Sequence, residues 1–172
     1  MQIYSKFPNS SEKIDMKISL ITIGKTTDRN LADLIDRYSS RISHYIDFEI
    51  IALPDLRATR GLTESQQKVK EGATLLGTLK SSDRVVLLDE RGEEFTSRSF
   101  AAKIQKRMTA ADKRLVFVVG GPYGFSDDVY ARADEMMSLS KMTFPHELVR
   151  LFFVEQVYRA MTILRGEPYH HD

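Results

Sequence analysis

The residues able to do chemistry gather in the last third of the chain. A turn, Gly120-Gly121-Pro122-Tyr123-Gly124, follows the apolar run Leu115–Val119 directly. A strand that feeds a Gly-Gly turn brings backbone N–H groups close to a ligand, because glycine has no Cβ to hold the ligand away. The spacing is neither the G-x-G-x-x-G of a dinucleotide site nor a Walker A loop, so a tight strand-to-helix turn and a ligand-binding turn stand at even odds. The segment Ser138-Leu139-Ser140-Lys141-Met142-Thr143-Phe144-Pro145-His146 comes next, then a strongly apolar helix and the tail Pro168-Tyr169-His170-His171. On that helix Glu155 and Arg159 lie four apart, acid first, so they can pair on one face. The cost of desolvating them on so apolar a helix argues against an ornamental pair. Arg159 could instead offer its planar fork of donors to an anion such as a phosphate. His146 and His170 can carry protons near neutral pH, although helix-end and terminal histidines are more often structural or solvated.

The elements that must position these groups alternate along the chain. Strands are expected at Lys17–Ile23, Phe48–Leu53, Arg84–Asp89, Leu115–Val119 and Met136–Ser140, and Glu90–Thr96 reads as a polar loop. Helices are expected from the Asp28 cap to about His44, from the Thr63 cap to about Lys80, over Ser97–Thr109, from a Ser126 cap to near Asp134, and over Glu147–Arg165. The stretch Asp55–Leu62, with Arg57, Arg60 and Gly61, reads as a loop. Alternating strands and helices give an α/β fold whose mostly parallel sheet has helices on both faces. Ligands in such sheets bind beyond the carboxyl ends of the strands, where the loops beginning at Asp89, Gly120 and Lys141 can converge. Between Leu148 and Leu164 only Arg150, Glu155, Gln156, Arg159 and Thr162 are strongly polar. A surface helix has a wider polar face, so this one should be buried on two sides, the second against a partner subunit.

Composition narrows the class. The chain has 172 residues, 42% hydrophobic and 28% charged, with a net charge of +1 and no cysteine. This is the profile of one soluble domain, without disulfides, thiolate nucleophiles or cysteine metal sites, and it suits a cytoplasmic location. No apolar run is long enough to span a membrane. A net charge near zero means that any nucleic-acid contact must come from a local patch. Arg98, Lys103, Lys106, Arg107, Lys113 and Arg114 form either a solvated face or such a patch. Residues 1–15 are polar and aperiodic and read as a flexible extension, with the domain spanning 16–172. The adjacent His170 and His171 have no partners at ligand spacing, so no metal site is expected.

The motifs LLDERG (Leu87–Gly92), VVGGPYGF (Val118–Phe125), SLSKMTFPHELVR (Ser138–Arg150), EQVYRA (Glu155–Ala160) and PYHHD (Pro168–Asp172) make the chain from Met16 onward resemble the RlmH family of SPOUT-class methyltransferases. That family methylates N3 of a pseudouridine in 23S ribosomal RNA. The resemblance covers about nine tenths of the chain and its motifs are specific in combination. It implies a C-terminal trefoil knot, the SPOUT or alpha-beta knot, which pattern rules alone argue against. It also implies a homodimer with the active site at the interface, S-adenosyl-L-methionine as cofactor, and the ribosome as partner. Carried over by motif, the cofactor-binding positions are Leu88, Gly120, Leu139, Ser140, Lys141, Met142, Thr143 and Phe144. His146, Arg159, Tyr169 and His170 are the expected substrate and catalytic positions, with His170 the candidate base. The alternatives are a nucleotide-binding α/β domain of another class and a non-catalytic ribosome-binding factor.

Overall fold

The computed structural model describes residues 14–56 and 59–171. The expected extension is therefore described only at Ile14, which packs on the core, and Asp15, which pairs with Lys113. Its first 13 residues, Arg57 in the expected loop and Asp172 of the last motif lie outside the described residues.

Ten elements follow in strict alternation: β1 (Lys17–Ile23), α1 (Arg29–Ile42), β2 (Asp47–Leu53), α2 (Glu64–Thr78), β3 (Arg84–Glu94), α3 (Ser97–Thr109), β4 (Arg114–Val119), α4 (Asp127–Arg132), β5 (Glu135–Ser138) and α5 (His146–Arg165). The five strands form one sheet in the order β2-β1-β4-β3-β5, and every pairing is parallel. Successive side chains on a strand point to opposite faces. Along β4, Leu115, Phe117 and Val119 therefore enter one core layer, while Val116 and Val118 enter the other. Both faces are covered, which is why the central strands read as unbroken apolar runs. The first layer is closed by α1, α3 and α5, the second by α2 and α4.

Local signals set most boundaries. Asp28 caps α1 by accepting from the Leu31 N–H at 3.0 Å, and Thr63 and Gln66 form a reciprocal capping box on α2. Gly166 ends α5 at φ +68°, a left-handed conformation that favours glycine. Three expectations need correction. The Ser126 side chain does not cap α4; its Oγ lies against Gly72, where an added Cβ would come within 2.3 Å of it. The expected polar loop Glu90–Thr96 is partly strand. Leu88 and Glu93 both face Met137, so the chain leaves the ladder between them and rejoins β5 at Glu93 and Glu94. Strand β5 stops at Ser138 instead of Ser140, because the Ser138 hydroxyl donates to the Ser140 carbonyl and the Ser140 hydroxyl accepts from the Met142 N–H, bending the chain into a turn.

That turn starts a crossing. Helix α4 lies on the second core layer and α5 on the first, so residues 139–145 pass from one face of the sheet to the other at the carboxyl ends of the strands.

Candidate active site

The interrupted middle of β3 and the loops beyond the carboxyl ends of β4 and β5 enclose a cavity of about 580 Å³, a size typical of small-molecule sites. Leu88–Arg91 form one wall, Gly120–Phe125 the second, and Ser138–Phe144 with His146 and Val149 the third. The glycine turn is built so that only backbone fits. A Cβ on Gly121 would lie 2.4 Å from the buried carboxylate of Glu71, and one on Gly120 would lie 3.2 Å from the Phe125 ring. Packing against Glu71 and Phe125 therefore accounts for these two glycines, while the same turn lines the cavity.

The third wall is anchored from below. Arg150, buried in α5, donates to the Ile23 carbonyl at 2.8 Å and to the Thr26 hydroxyl at 3.1 Å. One turn earlier, the Glu147 carboxylate accepts from the Thr27 N–H and hydroxyl, both at 2.8 Å, and from the Asp28 N–H at 3.2 Å. The backbone and hydroxyl donors of Thr27, followed by the Asp28 N–H, hold this carboxyl down to about 2. The end of β1 is thereby tied to the first turn of α5, which carries His146 into the cavity.

The cavity gathers Leu88, Gly120, Leu139, Ser140, Met142, Thr143 and Phe144, and adds His146. Lys141 belongs to the same loop but is exposed and outside the lining. The sequence reading missed a polar trio in the first wall. Asp89 accepts from the Tyr130 hydroxyl at 2.6 Å and from the Arg91 N–H at 2.9 Å, and the Arg91 guanidinium lies 4.8 Å from the Tyr130 ring centroid. Burial works against the Asp89 charge, but the donors on Arg91 and Tyr130 outweigh it and hold its carboxyl below the usual range. Asp89 and Arg91 stood within a quoted motif; Tyr130, 41 residues away, gave no local signal.

Arg159, Tyr169 and His170 form a second cluster, centred on Glu155. Arg159 donates through Nε at 3.0 Å and Nη2 at 2.5 Å to Glu155, and Tyr169 donates to the same carboxylate oxygen at 3.1 Å. Arg159 Nη1 stands 3.4 Å from His170 Nδ1. A guanidinium only donates, so in this contact Nδ1 accepts. The Tyr169 ring packs on Tyr158 at 4.7 Å between centroids. Burial, then bonding to Tyr38 and Glu155, raises the Tyr169 phenol and keeps it protonated. Tyr45 fastens the approach to the tail by donating to Glu167 at 2.5 Å. The tail through His170 is thus docked and not frayed.

The two clusters do not meet within one chain. His146 and Arg159 are 13 residues apart on one helix, about 20 Å of rise. The outward side of α5 between them carries the exposed Phe152, which packs on Phe144.

The basic residues of α3 and β4 are largely neutralised. Lys103 and Arg107 pair with Glu135, Lys113 with Asp15, and Arg114 with Asp83. Four of the six are thus paired, so this face is a poor phosphate patch. Among the described residues no group of three or more His, Asp or Glu is placed to hold a metal ion, and no helix is long and apolar enough to cross a membrane.

Comparison with known proteins gives a consistent answer. A family model described as a predicted SPOUT methyltransferase matches residues 16–170. The ribosomal RNA large subunit methyltransferase H of Christiangramia forsetii is 59% identical over 156 residues, covering 91% of this chain and 99% of that protein. The protein of the same name from Parabacteroides distasonis is 55% identical over 157 residues, covering 91% and 100%. That from Bacteroides fragilis strain ATCC 25285 is 50% identical over 157 residues, with the same coverage.

Proposed function

Because the chain belongs to the SPOUT methyltransferase family, we propose that it methylates N3 of a pseudouridine in 23S ribosomal RNA, with S-adenosylmethionine as donor and the assembled particle as substrate. The observation that carries this reading is the match, at 50% identity or more and nearly end to end, to large-subunit ribosomal RNA methyltransferases. The cavity agrees with it: backbone from Gly120 and the 139–144 loop can hold the adenosine and methionine parts, and Leu88 offers an apolar wall. The cofactor supplies a methyl group on a sulfonium, whose thioether leaves readily, so the protein needs few catalytic groups. It must align donor and acceptor and help a weakly acidic N–H lose its proton.

The tail cluster suits that second task. Arg159 can stabilise charge growing on the uracil carbonyl oxygens. By turning from His170 toward that oxyanion it frees the Nδ1 lone pair, and His170 then takes the N3 proton. Tyr169, protonated and packed on Tyr158, orients the pair. Since cavity and tail stand about 20 Å apart along α5, the working site joins the cavity of one subunit to the tail of another, in a homodimer seated on the apolar side of α5. His146 lies at the cavity rim, where the acceptor enters. The crossing at residues 139–145 is the place where the chain would thread to make the knot. Residues 16–172 are the functional unit in this reading, residues 1–15 are accessory, and the location is cytoplasmic. The near-neutral charge suits docking on a large preassembled surface more than capture of naked RNA.

The test is methyl transfer from labelled S-adenosylmethionine to bacterial ribosomes lacking the modification, with the product nucleoside identified. Label in 3-methylpseudouridine is expected. Ribosome association indifferent to S-adenosylmethionine, without transfer, would favour a non-catalytic binding factor. Binding of a phosphorylated nucleotide without transfer would favour a nucleotide-binding domain of another class.

A further inference from the structure

Among the described residues, the basic residues of α3 and β4 and those of α1 differ in one respect. On α3 and β4 most cations already hold a carboxylate, as described above. On the second half of α1 they do not. Arg37 and Arg41 lie four apart and are both exposed, so they share one helical face, and His44 follows at the end of the helix. Neither arginine makes an ion pair among the described residues. The Arg41 guanidinium sits over two aromatic rings, 5.7 Å from the Tyr38 centroid and 5.6 Å from that of Tyr158. A guanidinium over a ring is held in place while its charge remains unneutralised. Asp36 lines a separate groove with Lys25 and Ile50, and Asp33, one turn before Arg37, makes no ion pair with it among the described residues.

The same rings lead to the chemistry. Tyr158 touches both Arg41 and Tyr169, and Tyr169 carries Arg159 over its face at 4.8 Å, next to His170. A preorganised, uncompensated cation thus stands two ring contacts from the groups that meet the acceptor base. Resting on the function proposed above, we infer that the Arg37–Arg41 face of α1 binds the phosphodiester backbone of the ribosomal RNA strand flanking the target nucleotide, and so sets the affinity for the particle without taking part in the methyl transfer. Charge complementarity selects the occupant: two neighbouring guanidinium groups without carboxylate partners, one of them held over rings, fit phosphate oxygens. A protein partner would have to bring carboxylates of its own.

The test is steady-state kinetics of the full-length protein on ribosomes lacking the modification, over a range of salt concentrations. The double variant Arg37→Ala/Arg41→Ala should raise KM about tenfold and reduce the salt dependence of log KM by about one to two units of slope, since each lost phosphate contact removes about 0.7 to 0.9. Its kcat and its binding of S-adenosylmethionine should stay within twofold of wild type. Arg41→Lys, which keeps the charge, should recover most of the affinity if Arg37 is intact. Arg37→Ala alone, at an exposed side chain with no ion pair or ring contact among the described residues, should raise KM without lowering Tm. Lys106→Ala, an equal charge change on the other surface, should leave KM unaltered. An unchanged KM, an equal rise in Lys106→Ala, or a raised KM with an unchanged salt slope would each overturn the inference. If wild-type protein transfers no methyl group to these particles, the functional reading fails first and the inference falls with it.

Discussion

Gly92 is the position where one added carbon should do most damage. It is buried where β3 rejoins β5, and a Cβ there would stand 2.5 Å from the Met137 nitrogen, 2.6 Å from the Met137 carbonyl carbon and 2.7 Å from the Met136 carbonyl carbon. All three are backbone atoms, so no side chain can rotate aside. Ordinary contact begins near 3.4 Å, and β5 would have to retreat by about 0.9 Å from a sheet packed like a crystal. Overpacking of this kind costs about 1–3 kcal/mol, which for a chain of this size lowers Tm by about 2–12 °C. Strand β5 runs straight into the 139–144 loop, so strain released by shifting that loop also reaches the cofactor; a loss of about 1.4 kcal/mol there means roughly tenfold weaker binding. Gly77, in the last turns of α2, is the control. A Cβ there meets nothing within 4 Å, and Gly→Ala within a helix gains about 0.5–1 kcal/mol, raising Tm by about 1–4 °C. Calorimetry and titration with S-adenosylmethionine on the two variants would decide. A Gly92→Ala protein that melts with wild type and binds the cofactor equally well would refute the account of how β3 and β5 shape the cavity.

Two further predictions concern the tail and the anchor of α5. His170→Ala and Arg159→Ala should each keep S-adenosylmethionine binding while lowering methyl transfer by about 10²- to 10³-fold, the range for a lost general base or oxyanion donor; wild-type turnover in both would remove their catalytic roles. Glu147 is held at about 2 by Thr27 and Asp28, below the 4.5 of an ordinary glutamate. A depressed folded-state value gives stability that is complete above the unfolded value and fades as pH falls through the folded one. The gap in Tm between wild type and Glu147→Gln should therefore be constant above about pH 5 and shrink from there toward pH 2, and thermal melts in which it did not vary with pH would show that the carboxylate bears no such load.

Much of the fold could be read from periodicity. The apolar runs of β1 and β4, buried on both faces, and the caps at Asp28 and Thr63 placed their elements to within a residue or two. What failed depended on distant partners. Glu93 and Glu94 look like loop residues until β5, more than 40 positions later, offers them a ladder. Ser126 has the chemistry of a cap, yet Gly72 provides a gap that its hydroxyl fills. At the candidate site the sequence marked all three cavity walls, because glycines and short polar loops after strands are local signals. It could not show that Tyr130 reaches Asp89, nor that Arg159, Tyr169 and His170 gather on Glu155 while His146 goes elsewhere. Those are consequences of helix length and docking angle. The basic cluster on α3 is instructive in the same way: its charges were visible, and the carboxylates of Asp15, Asp83 and Glu135 that cancel them were scattered over 120 residues.

The placement of α5 also makes core and cavity one cooperative unit. Six of the twenty buried residues of the first core layer, from Phe153 to Leu164, come from this helix, and the third cavity wall immediately precedes it. Until α5 seats, the first layer lacks that filling and α1 and α3 have an open seam where α5 belongs. Core and cavity are therefore finished in one event, and a chain whose α5 has come loose loses its candidate site together with its fold.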